Sequence, residues 1–172
     1  MTRLSVALST DNIKKAINEL KAYRKWVDEK TNILMKRLAE IGLNEAQIKF
    51  ANAIYAGDND VAVTVSSTDN GFVVTAKGEA VCFIEFGAGV FYNPTEPYPT
   101  ERPQGIVGIG EYGNGYGKRY GWTYEGEAGN GGKVLENGRV FTRGNPAYMP
   151  MWNARKEILL SVDKIAKEVF ET

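Results

Sequence analysis

Few side chains in this 172-residue chain could do chemistry, and their types and spacing restrict what that chemistry could be. There is no histidine and a single cysteine, Cys82. Zinc sites built on Cys and His, intramolecular disulfides, Cys-His nucleophiles and Ser-His-Asp triads are therefore excluded within this chain. Cys82 has no basic neighbour to lower its pKa and reads as a small core hydrophobe. Glu79 and Glu85 form a candidate acid/base pair, but six positions along a strand is roughly 20 Å, too far for glycosidase chemistry. Gly108-Ile109-Gly110-Glu111-Tyr112-Gly113 has the letters of a dinucleotide fingerprint. Its context fails: Pro103 precedes it, and Gly115 and Gly117 follow where a helix should begin. Lys118 follows Gly117 as in a phosphate-binding loop, but Tyr112 stands where a glycine is required and Arg119 where Ser or Thr is required. These residues show no catalytic apparatus and no cofactor or metal site, and a hydrolase working with carboxylates alone stays open as the weaker alternative.

The carboxylate that most needs positioning is Glu85, inside the apolar run Ala80-Val81-Cys82-Phe83-Ile84-Glu85-Phe86-Gly87-Ala88-Gly89. The run is short, rich in branched and aromatic residues and closed by glycine, which predicts a strand at the centre of the core. Alternation then places Glu85 on one face with Val81 and Phe83. Two readings stay open for its charge: solvation at a strand end, or a basic group or backbone amides near Gly87 and Gly89.

Before this run, Ser9-Thr10-Asp11 offers N-cap side chains, and Ile13, Ile17, Leu20, Val27, Leu34, Leu38 and Ile41 recur at near-helical spacing. A long amphipathic helix over about 12–41 is expected, broken by Gly42, with Asn44 capping a second helix that carries Ile48, Ala51, Ile54 and Tyr55 and ends at Gly57. Val61, Val63 and Val65 alternate with polar and small residues, and Asn70-Gly71 separates them from Phe72-Val73-Val74-Thr75-Ala76. That is a strong hairpin signal, with both turn residues expected at positive φ. Strands at 61–66, 72–76 and 80–86 would then form an antiparallel meander. A last helix over about 151–170 follows Pro150.

From 87 to 150 lie fifteen of the 19 glycines and seven of the nine tyrosines. Glycine at that density predicts a long irregular arm at 88–145, with a short hairpin pairing Trp122-Thr123-Tyr124 with Val140-Phe141-Thr142. Its aromatic residues suit adaptable protein contacts, or stacking on bases or sugars in a carbohydrate- or nucleic-acid-binding module. The arm's charge is balanced at six basic and six acidic residues, which favours protein contact.

Over the whole chain Lys plus Arg and Asp plus Glu each number 21, so no global field points to nucleic acid or an anionic membrane. Locally the balance differs: residues 11–56 hold nine basic and six acidic side chains, and residues 57–87 hold one basic and five acidic. This asymmetry could orient one copy against another. Residues 1–9 lack the apolar core of a signal peptide, and a reducing cytoplasm is the expected site of synthesis. The length suits one α+β domain over 1–172: an antiparallel sheet packed against a long N-terminal helix and a C-terminal helix, with the Gly/Tyr-rich arm inserted before the last helix.

Phe83-Ile84-Glu85-Phe86-Gly87-Ala88-Gly89, taken with the later Gly138-Arg139-Val140-Phe141-Thr142-Arg143-Gly144-Asn145-Pro146-Ala147-Tyr148-Met149-Pro150, resembles the neck or tail-completion family of long-tailed bacteriophages. In that family an opening helix leads to a strand ending E-F-G-T-G, then a variable loop, then a P-x-x-F-[ML] segment that starts the last helix. This chain departs from the pattern at Ala88, where Thr is usual, and at Tyr148, where Phe is common. The resemblance implies a structural virion or assembly protein of the head-tail junction, not an enzyme, assembled in the host cytoplasm. It implies contacts with itself in a ring of six, with the head-closure or connector protein and with the tail tube, and neither a membrane nor sequence-specific nucleic acid, although DNA passes through such a ring. The expected interface residues are Glu85, Phe86, Gly87, Tyr112, Tyr116, Tyr120, Trp122, Tyr124 and Tyr148.

Overall fold

A computed structural model describes residues 9–88 and 121–171. Three α-helices and two small antiparallel sheets make an α+β fold in this part of the chain. The first element, α1, is one unbroken helix over Thr10–Asn52, about 65 Å long at 1.5 Å per residue. Its N-cap is Ser9, whose hydroxyl accepts from the Asn12 N–H at 3.3 Å. The break expected at Gly42 does not occur. A Cβ on Gly42 would meet Ile158 Cδ1 at 2.5 Å, so the residue is there for close packing of the C-terminal helix. Bonds to residues on either side carry the helix through it.

Strands β1 (Ala62–Thr68) and β2 (Gly71–Lys77) form the expected hairpin, with Val63 opposite Ala76 and Val65 opposite Val74. The turn differs from expectation. Asp69 and Asn70 are its two loop residues and neither has positive φ, whereas Gly71, already paired with Thr68, has φ of 141°.

The run expected as a third strand is instead a short helix, α2 (Val81–Phe86). It still lies in the core: Ala80, one turn before the fully buried Ile84, accepts the Ile84 N–H at 2.9 Å. Both join Ala46, Phe50, Ala53, Val63 and Ala154 in one apolar cluster. An uninterrupted apolar run carries no period of its own, and here the contacts around it select 3.6 rather than 2. The meander therefore reduces to a hairpin, and Glu85 does not share a strand face with Val81 and Phe83.

Helix α3 (Pro150–Phe170) runs antiparallel to α1, from Ile158 beside Gly42 to Phe170 against Trp26, with Arg37 and Glu168 paired at 2.6 Å between them. The second sheet, ordered β3-β5-β4, holds β3 (Trp122–Tyr124), β4 (Lys133–Val134) and β5 (Val140–Thr142). Trp122 faces Thr142 and Tyr124 faces Val140, the pairing expected from sequence. Glycine density did not keep this part of the arm out of the packed structure. Val140 is fully buried, the Gly129 and Gly131 N–H groups donate to Ala56 and Tyr55 carbonyls, and Asn130 ties Ala53 and Tyr55 with its amide.

Candidate functional site

Two segments far apart in sequence, 83–88 and 145–152, meet in one interlocked junction. It starts at Asp60, whose carboxylate accepts the N–H groups of Glu79 at 2.7 Å and Ala80 at 2.9 Å. These two bonds hold its pKa below the ordinary carboxylate range. They fix the turn that launches α2. At the other end of α2, the carbonyls of Ile84 and Glu85 accept from the Tyr148 and Met149 N–H groups at 2.9 and 3.2 Å, so residues 148–149 supply donors for a helix end that has lost its own. Asn145 donates its side-chain amide to the Phe83 carbonyl at 2.6 Å and exchanges two backbone bonds with Ala88.

Gly87 makes this approach possible. Its φ is 74°, and a Cβ there would stand 2.6 Å from the Ala147 nitrogen and 2.8 Å from the Pro146 carbonyl carbon. Backbone cannot move aside as a side-chain tip can, so only glycine fits.

Glu85 closes the junction. Glu85 is 5% exposed, and its carboxylate accepts the N–H groups of Met151 at 2.8 Å and Trp152 at 3.0 Å, in the first turn of α3. An acceptor at a helix N-terminus satisfies orphan donors and meets the positive end of the helix dipole. Pro150 opens that turn without needing a partner for an N–H. Burial pushes the Glu85 pKa up, and the two N–H bonds pull it partly back. Of the two open readings, backbone amides hold this charge, but they belong to α3 and not to the glycines beside it.

Beside the junction is an apolar cavity of about 250 Å³, lined by Tyr55, Phe83, Trp122 and Tyr124 together with backbone and small residues. Tyr55 and Phe83 stack at 6.3 Å, and the Tyr124 hydroxyl donates to the Ala56 carbonyl at 2.7 Å. Burial raises the pKa of both tyrosines. That of Tyr55 rises further through Tyr124 and the carboxylates of Asp60, Asp58 and Glu79. The volume falls below the roughly 300–1,000 Å³ of small-molecule sites and suits an inserted side chain.

Of the expected interface residues, Glu85 and Gly87 are buried in bonds and contacts within the chain. Phe86 and Tyr148 are half-buried, with Tyr148 packed against the core. Trp122 and Tyr124 line the cavity. Tyr112, Tyr116 and Tyr120 lie outside the described residues. Sequence reasoning missed Asp60, Asn130 and Asn145 as positioning residues; the signal available for Asn145 was an amide side chain just before a proline, where the chain is extended. Glu79 is exposed in the turn before α2 while Glu85 faces α3, so the two carboxylates do not converge. Six residues through a turn and helix also span less than the strand estimate. Among the described residues no group of three or more His, Cys, Asp or Glu side chains could hold a metal ion. Comparison with protein-family models, curated proteins and solved structures finds no match to this chain.

Proposed function

We propose that this chain is a structural protein of a bacteriophage head-tail junction, acting as a tail-completion or tail-terminator subunit through protein contacts and without catalysis. In this reading six copies form a ring between the head-closure protein and the tail tube, and DNA passes through it. The observation that supports it is the junction itself. The E-F-G-A-G and N-P-A-Y-M-P segments, far apart in sequence, are the two stretches that resemble the family, and they are bound to each other through Glu85, Gly87 and Asn145. A lock of this kind holds α2 and the start of α3 to each other, and an interface presented by elements fixed in this way keeps its shape from copy to copy.

The test is complementation. In the phage that encodes the chain, a nonsense mutation in its gene is expected to leave filled heads and separate tails in the lysate, and the purified chain added back restores joined particles. Joined, infectious particles formed without the chain overturn the reading.

A further inference from the structure

Helix α1 carries a seam of alternating three- and four-residue spacing: Ile13, Ile17, Leu20, Arg24, Val27, Thr31, Leu34, Leu38 and Ile41. From Val27 onward, where α3 lies alongside, these residues are half-buried. The helix continues for residues 10–25 beyond the Trp26–Phe170 contact, about 24 Å of helix. There Ile13, Ile17 and Leu20 are 43%, 46% and 57% exposed. Among the described residues the same seam is covered at one end and open at the other. Lys14 and Lys21 directly follow Ile13 and Leu20, and residues 10–25 hold five basic side chains against two acidic.

The opposite pole of the molecule is complementary. Beside the aromatic cavity there, Asp58 and Asp60 follow the lining residue Gly57, Asp60 holds the Glu79 N–H, and Glu125 and Glu127 follow Tyr124, whose hydroxyl donates to the Glu127 carbonyl; against these five carboxylates stand Arg143, between the lining Thr142 and Gly144, and Arg139, whose guanidinium donates to the Thr123 carbonyl. Forty-one residues of chain separate Lys14 from Tyr55, almost all of them helix, so the two poles stand roughly 60 Å apart and cannot meet within one chain. Pairing two open seams with each other would set Lys14 and Lys21 among further Lys and Arg, a like-charge arrangement that costs affinity.

We infer that the open end of the α1 seam docks on a second copy of this chain, at the acidic, aromatic-lined cavity of the opposite pole. The inference rests on the ring-forming reading and specifies its contact. Such head-to-tail contact is heterologous: it closes into a ring when the rotation between copies permits and otherwise grows into a filament. An apolar side chain of the seam enters the cavity, while Lys14 and Lys21 face Asp58 and Glu79.

The experiment mixes light and heavy-isotope copies of the full chain, joins neighbouring amines and carboxylates with a zero-length carbodiimide, and measures native mass in parallel. Expected are light-heavy cross-links from Lys14 or Lys21 to Asp58 or Glu79, with no light-light pairs in excess of chance. Ile17→Asp is expected to weaken assembly about tenfold or more while leaving the helical signal of the monomer intact. Lys14→Glu with Lys21→Glu should weaken it too, and Asp58→Lys with Glu79→Lys in the same chain should restore it. Cross-links from the seam to another surface, including residues 89–120 or a second α1, overturn the inference while leaving a ring in place. So does a wild-type chain that stays monomeric at every concentration. The lysate complementation reads the head-tail role independently of either result.

Discussion

The two ends of α1 belong to one helix, share one apolar seam, and have opposite fates. At the C-terminal end Ala46, Phe50 and Ala53 are buried against Val63, Ile84 and Ala154, and the chain leaving the helix is clasped by Asn130 and Tyr124. At the N-terminal end the seam reaches solvent among lysines. The difference teaches that the apolar period alone does not say what covers a helix. Long-range partners do, and among the described residues only the C-terminal end has them.

Substitutions at the two poles should therefore separate stability from association. The largest loss is expected at the packed pole. Phe50→Ala removes a fully buried ring and should cost about 3–5 kcal/mol, read as a lower denaturant midpoint. Gly87→Ala should approach the same scale, about 3 kcal/mol or more, because a methyl group there meets backbone and the φ of 74° disfavours any side chain. A Gly87→Ala protein that melts like the parent would show that the junction can open at little cost.

Glu85→Gln comes next, at about 1–3 kcal/mol, since an amide offers one acceptor where two N–H groups converge. Its pH dependence has a definite sign. The raised pKa means that the folded state binds the Glu85 proton more tightly than the unfolded chain does. This stabilising contribution is fully present below the ordinary glutamate pKa and is lost as pH rises through the higher folded-state value. The melting-temperature gap between the parent and Glu85→Gln should accordingly be wider in mild acid than at neutral pH. A gap that narrows on acidification would mean that the N–H bonds outweigh burial.

Gly42→Ala should destabilise by about 1 kcal/mol, as crowding of Ile158 outweighs a helix-propensity gain of similar size. Adding Ile158→Val should recover most of that loss, because the contact at 2.5 Å is to the Cδ1 atom that valine lacks. The smallest effect is expected at the open pole: Leu20→Ser should change thermal stability by no more than about 0.5 kcal/mol. A larger loss, seen by calorimetry of the isolated protein, would place that leucine in the intramolecular core and erase the contrast between the ends.

Several elements could be read from local pattern because their determinants are local. The β1–β2 hairpin follows from valine alternation around a turn, the Trp122–Thr142 pairing from two short aromatic and branched runs, and α3 from its apolar stripe after Pro150. The seam on α1 was equally visible, although its continuity through Gly42 was not. Helix propensity counts against that glycine, and only the nearness of Ile158 explains its presence. The run at 81–86 shows the same limit. Its apolar residues were correctly placed in the core, but whether they wind or extend was settled by partners distant in sequence: Asp60 at its start, and the Tyr148 and Met149 N–H groups at its end. Glu85 shows how a single charge depends on both levels. Its sequence context made clear that it needed a partner, while the donors, two amides at the start of α3, exist only once α2 and α3 have been brought together.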